Sequence, residues 1–119
     1  MEDQQLIQEI KIILDEKKGN QIVTLDLQGQ NAFVDYMIIV SAPSNRQLAA
    51  MADYVAQFLK KRGFKVIVEG DYSASDWVLL EAGNIMVHFF KPEARLYYNL
   101  EKMWGSLKSS QNSPTVSVL

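Results

Sequence analysis

The sequence predicts one α/β domain of the α+β kind, a mixed sheet of about five strands flanked by helices in the order α-β-β-α-β-β-β-α. Three observations predict it. The first is Asp76 to Phe90, where two apolar runs flank Ala82-Gly83-Asn84. Gly and Asn tolerate the positive φ of tight turns, so this stretch reads as a β-hairpin. The second is a set of apolar stripes at helical spacing, of which Leu48, Met51, Ala52, Val55 and Leu59 are the clearest. The third is the strand–helix–strand passage from Phe33 to Glu69, a right-handed crossover that sets its two strands parallel.

The elements follow in order. Leu6, Ile7, Ile10, Ile13 and Leu14 form a helical stripe that ends near Lys17-Lys18-Gly19, with lysines at the negative end of the dipole and Gly at the stop. Gln21 to Leu27 is a strand, Gln28-Gly29-Gln30-Asn31 a turn, and Phe33 to Ser41 a strongly apolar strand antiparallel to the first. Ser44 with Gln47 three residues on is a capping-box pattern that starts the second helix, and Lys60-Lys61-Arg62-Gly63 ends it. Phe64 to Glu69 is a short strand and Gly70 to Ser75 a loop. In the hairpin's second run only His88 is polar, as in a strand covered on both faces. Tyr97, Leu100, Trp104 and Leu107 then mark one stripe of a last helix. Residues 1–108 make one domain, and 109–119, without periodicity, read as a disordered tail.

Composition narrows the function classes. A chain of 119 residues, 48% apolar and 22% charged, is an ordinary soluble globule with enough length for a core. A net charge of −2 argues against a broad nucleic-acid footprint and leaves a local basic patch open. With no cysteine there are no disulfides or thiolate metal sites. No apolar run is long enough to span a membrane, and Met1-Glu2-Asp3-Gln4-Gln5 lacks the features of a signal peptide. The chain reads as cytoplasmic.

Reactive constellations are sparse. One His and no Cys leave His88 as the sole candidate for nucleophile activation, and it lies in the most apolar strand; packing and ligand binding are both open to it. Zinc needs three or four ligands, which one His with scattered carboxylates does not supply. Mg²⁺-dependent phosphoryl chemistry needs paired carboxylates, as an Asp-x-Asp strand would project from one face. Asp26-Leu27-Gln28 and Asp35-Tyr36-Met37 offer one Asp each, and no phosphate loop follows Gly29. No catalytic residues, metal or cofactor are expected. Aromatic residues carry more signal. Trp104 suits the core, Tyr98 lies off its stripe, and Trp77, at a strand start beside Ser73-Ala74-Ser75, suits either the core or an exposed rim of the kind that anchors protein–protein contacts.

An ordered set of short motifs resembles one family. It comprises Leu25-Asp26-Leu27-Gln28-Gly29, Asp35-Tyr36-Met37-Ile38-Ile39, Ser44-Asn45-Arg46-Gln47, Glu69-Gly70, Ser75-Asp76-Trp77-Val78, Gly83-Asn84-Ile85-Met86-Val87-His88, Arg95 with Tyr97, and Leu100-Glu101-Lys102-Met103-Trp104. Together, over about residues 5 to 107, they resemble the ribosomal silencing factors of the RsfS, or Iojap, family. The resemblance implies a nucleotidyltransferase-like fold without the acidic active site. It implies a non-enzyme that binds the large ribosomal subunit through ribosomal protein L-fourteen, blocks joining with the small subunit and represses translation when nutrients are scarce. It also implies a homodimer, and no membrane or sequence-specific nucleic-acid partner. An assembly adaptor of the large subunit is the alternative, and a nucleotidyltransferase-type enzyme a further one.

The partner-binding patch expected from these readings is Asp76, Trp77, Leu79, Glu81, Asn84, Met86 and His88. Period-two alternation puts Trp77, Leu79 and Glu81 on one face of a strand, and Met86 with His88 on one face of the next. Members of the family usually carry Asp at the positions of Glu81 and Asn84. Glu81 keeps the charge, whereas Asn84 can serve either a hydrogen bond to the partner or the turn itself.

Overall fold

The computed structural model describes residues 2–29, 34–71, 76–93 and 116–118. Helix α1 (Glu2–Glu16) precedes strands β1 (Asn20–Asp26) and β2 (Tyr36–Ser41). Helix α2 (Asn45–Lys61) then leads to β3 (Val66–Glu69), β4 (Trp77–Ala82) and β5 (Ile85–Phe90). The predicted last helix lies outside the described residues. A sixth strand, β6 (Val116–Val118), lies inside the stretch expected to be a disordered tail and pairs antiparallel with β1. Three residues are too few to show a period, so backbone pairing decides here where pattern could not.

The sheet runs β3-β4-β5-β2-β1-β6. Only the central β2–β5 pair is parallel; its neighbours are antiparallel. The crossover through α2 therefore leaves β2 and β3 pointing the same way, as expected, but not side by side. The hairpin comes between them, with β5 taking the place next to β2.

Two apolar layers hold the sheet. On one face Leu6, Ile7, Ile10 and Leu14 of α1 and Leu48, Met51, Val55 and Leu59 of α2 bury Ile38, Val40, Leu80, Val87 and Phe89. On the other face Val23, Leu25, Leu27, Val34, Met37, Ile39 and Phe90 cluster, with Trp77 and Met86 packed beside them. In β1, two residues, Gln21 and Ile22, lie between the pairs Asn20↔Ser41 and Val23↔Ile39, opposite the single Val40. Gln21 takes φ 50°, as the extra residue of this bulge.

The helix ends show where local chemistry departs from the simplest reading. α1 closes in a Schellman motif, in which the Gly19 N–H donates to Leu14 O (2.8 Å) and the Lys18 N–H to Asp15 O (3.0 Å). The left-handed residue is Lys18 (φ 66°), not Gly19. Gly19 is needed for space, since a Cβ there would stand 2.6 Å from Val40 Cγ2. α2 closes the same way on Gly63 (φ 90°), with the Phe64 N–H donating to Leu59 O. At its start the Ser44 hydroxyl accepts from the Gln47 N–H at 3.2 Å, the expected cap. The Gln47 amide does not complete the box; it donates to Lys17 O and Lys18 O and ties the end of α1 to the start of α2.

Candidate protein-docking face

The hairpin builds the site. Ala82 pairs with Ile85 across the two-residue turn Gly83-Asn84. Only Gly83 takes positive φ (58°), which fits a II′ turn with Gly in its first central position. The turn is clamped to the start of β2. The Asn84 amide donates to Asp35 Oδ2 at 2.7 Å, and Asn84 O accepts from the Asp35 and Tyr36 N–H groups. Asn84 thus serves the turn and its neighbour strand.

Alternation along β4 buries Val78, Leu80 and Ala82 against the helices and turns Trp77, Leu79 and Glu81, each half-buried, to the other face. The register sets Trp77 opposite Phe90, Leu79 opposite His88 and Glu81 opposite Met86, so the two predicted sets are cross-strand neighbours. β3 extends this face outward, with exposed Ile67 opposite Glu81 and exposed Glu69 opposite Leu79. Burial is graded across it. Met37, Ile39, His88 and Phe90 are buried, the β4 row is half-open, and Ile67 is 48% exposed.

Trp77 stands at the boundary. Its ring stacks on Phe90 with centroids 4.9 Å apart, and its Nε1–H donates to His88 Nδ1 at 2.9 Å. His88 is 4% exposed and lies under the face, not on it. Since Nδ1 accepts, the neutral ring carries its proton on Nε2, a buried atom with no hydrogen-bond partner among the described residues. Burial pulls the His88 pKa from 6.5 down to about 4, so the ring stays neutral and the acceptor stays available near neutral pH. His88 therefore acts by holding Trp77.

Asp76 flanks the face with its side chain 67% exposed, 3.5 Å from Lys91 Nζ. Lys91 also donates to Asn45 Oδ1, which ties the hairpin's open end to α2. Glu69 and Glu81 place two carboxylates on the open part of the face beside Leu79 and Ile67. Of the seven predicted residues, Trp77, Leu79, Glu81 and Met86 share this face. Asp76 does not, because alternation turns it toward the helix side, where Lys91 links it to Asn45. His88 lies beneath the face, and Asn84 sits at the turn. Ile67 and Glu69 were not predicted, although the period-two run Val66-Ile67-Val68-Glu69 carries the signal. Among the described residues no cluster of three or more His, Asp or Glu could hold a metal, and no helix is long and apolar enough to cross a membrane.

Known proteins share both sequence and fold. The chain is 44% identical over 107 residues to a ribosomal silencing factor RsfS of Zymomonas mobilis, covering 89% of this chain and 80% of that one. A crystal structure of a Chromobacterium violaceum protein superposes with a TM-score of 0.81 at 35% identity, covering 88% of each chain. A mouse protein named for mitochondrial assembly of the ribosomal large subunit is 30% identical over 96 residues, which cover 77% of this chain and 42% of the mouse protein. The family model described as ribosomal silencing factor during starvation matches residues 1–118, and the chain belongs to that family, RsfS.

Proposed function

We propose that this protein binds the large ribosomal subunit through ribosomal protein L-fourteen and blocks joining with the small subunit by occupying the shared face. The mechanism is steric and requires occupancy, not turnover. Family membership supports ribosome association. The observation that carries the surface assignment is the half-open row Trp77, Leu79 and Glu81, apolar at its centre and acidic at its rim. An acidic rim speeds encounter with a basic ribosomal protein, while a rigid aromatic anchor supplies affinity. Trp77 is rigid because Phe90 and His88 hold its ring from two sides. A standard interface of about 800 Å² per partner reaches beyond this row and takes in Ile67 and Glu69.

Co-sedimentation with purified large subunits, followed by addition of small subunits, tests this reading. Binding with fewer joined ribosomes supports it, and absence of binding refutes it. The name of the mouse relative favours a second reading, a role in large-subunit assembly. Preference for immature over finished particles would select that reading. A nucleotidyltransferase-type activity would require metal-dependent nucleotide binding, which calorimetry with Mg²⁺ and nucleoside triphosphate measures.

A further inference from the structure

Both helices end on lysines, but the two ends differ in charge balance. Lys17 and Lys18, which close α1, follow directly on Asp15 and Glu16. At the end of α2 no carboxylate lies in sequence between Asp53 and Glu69, and Lys60, Lys61, Arg62 and Lys65 crowd together. All four are exposed. Arg62 is engaged, since its guanidinium pairs with Glu9 of α1 at 2.6 Å and lies over the Phe58 ring. Among the described residues the side chains of Lys60, Lys61 and Lys65 make no ion pair. A cation in the last turn complements the helix dipole, but Lys65 lies beyond the helix and has no such role. It precedes the pair Val66↔Ala82, beside the hairpin turn, where Phe64 lies against Gly83. Val66 packs toward the helices, so alternation turns Lys65 to the face that bears Ile67. The basic run thus passes from the helix side, around the β3 edge, to the margin of the proposed docking face.

We propose that this basic edge is a second contact, which takes the phosphodiester backbone of RNA without regard to base sequence. Its place on the ribosome rests on large-subunit binding as proposed above. Lysine is a point charge on a flexible stem, which suits a row of phosphates. Phe64, the one apolar residue within the run, packs against the helix-side core. No aromatic side chain of the run is therefore free to stack on bases, and none to enter a lipid surface. Charge sorts the two partners. Glu69 and Glu81 on the face favour a basic ribosomal protein, whereas the lysines at its margin repel such a protein and attract a polyanion beside it. The chain as a whole is acidic, with a net charge of −2, so it is not drawn to RNA at large. The lysines act once the face is docked. Phosphate contacts fix orientation without reading sequence, and a protein that acts by occlusion needs a fixed orientation.

Binding to purified large subunits over a potassium chloride series tests it, with a short RNA hairpin at low salt as a probe free of ribosomal protein. Two double variants each remove the lysine pair that ends a helix. Lys60→Gln with Lys61→Gln should lower the slope of log affinity against log salt by about two, one per lysine, and weaken hairpin binding about ten-fold. Lys17→Gln with Lys18→Gln makes the same change in net charge and should stay within about three-fold of wild type on both partners. Lys65→Gln should remove about one further unit of slope. Unchanged melting curves check that the variants fold. A Lys60/Lys61 variant that binds large subunits with the wild-type affinity and slope would overturn the proposal and leave large-subunit binding intact. Loss on the subunit without loss on the hairpin would also overturn it, and would assign the edge to an acidic protein. If the wild type does not bind large subunits, that reading fails by itself. Hairpin binding that depends on Lys60 and Lys61 would then still support the RNA contact, and hairpin binding indifferent to them, or absent, would overturn it.

Discussion

Trp77 and His88 show how one hydrogen bond sets the character of the proposed docking face. The indole N–H donates to His88 Nδ1, and that acceptor exists only while the imidazole is neutral. The unfolded chain takes up a proton at His88 as pH falls through 6.5, the folded chain only near 4. Stability contributed by the neutral ring is therefore complete above about pH 6.5 and is lost as pH falls toward 4. Between pH 7.5 and 5 this single group should remove about 2 kcal/mol. Urea denaturation at the two pH values measures the loss, and His88→Gln should lack that step. Asn84 offers a second residue-scale case. Its amide donates to Asp35, so Asn84→Asp would set two carboxylates against each other. We expect a loss of about 1–2 kcal/mol at pH 7 that shrinks as the pH is lowered and one carboxyl is protonated.

The elements themselves were largely legible in the sequence, because each follows from a short-range rule. The stripes of α1 and α2 are buried as their period requires, and the Gly83 turn closes the hairpin in the expected place. What the sequence concealed was contact between elements. Gln47 reads as half of a capping box, yet its amide is drawn to two carbonyls that become neighbours only once α1 and α2 pack. Gly19 reads as the helix stop, yet Lys18 accepts the left-handed conformation and Gly19 is fixed by the close approach of Val40. Gly19→Ala should consequently cost about 1–3 kcal/mol by overpacking, measured as a lower denaturation midpoint with unchanged slope. Backbone strain does not enter, because the φ of Gly19 is not in the left-handed region. The neighbour of β2 was hidden for a similar reason. Sequence order makes β3 the natural partner, and only the packing of the whole hairpin puts β5 there.

For the whole molecule, the fold divides labour between the two faces of one sheet. The helix-side face is closed and supplies stability. The opposite face is buried over β1, β2 and β5 and opens over β4 and β3, where Leu79, Glu81 and Ile67 emerge beside a Trp held from below. That gradient was not readable in advance, since an apolar run such as Trp77 to Leu80 fits burial and docking equally well. Proteins that act by occlusion need a rigid, pre-formed surface, because every residue ordered on binding would reduce affinity. The most direct measurement is subunit joining in the presence of wild-type protein and of Glu81→Arg, which reverses a charge on the open face and leaves Trp77, Phe90 and His88 in place. The account predicts that the wild type lowers the fraction of joined ribosomes and that Glu81→Arg, melting at the same temperature, does so about ten-fold less effectively. Equal inhibition by the two proteins, or no inhibition by the wild type, would contradict it.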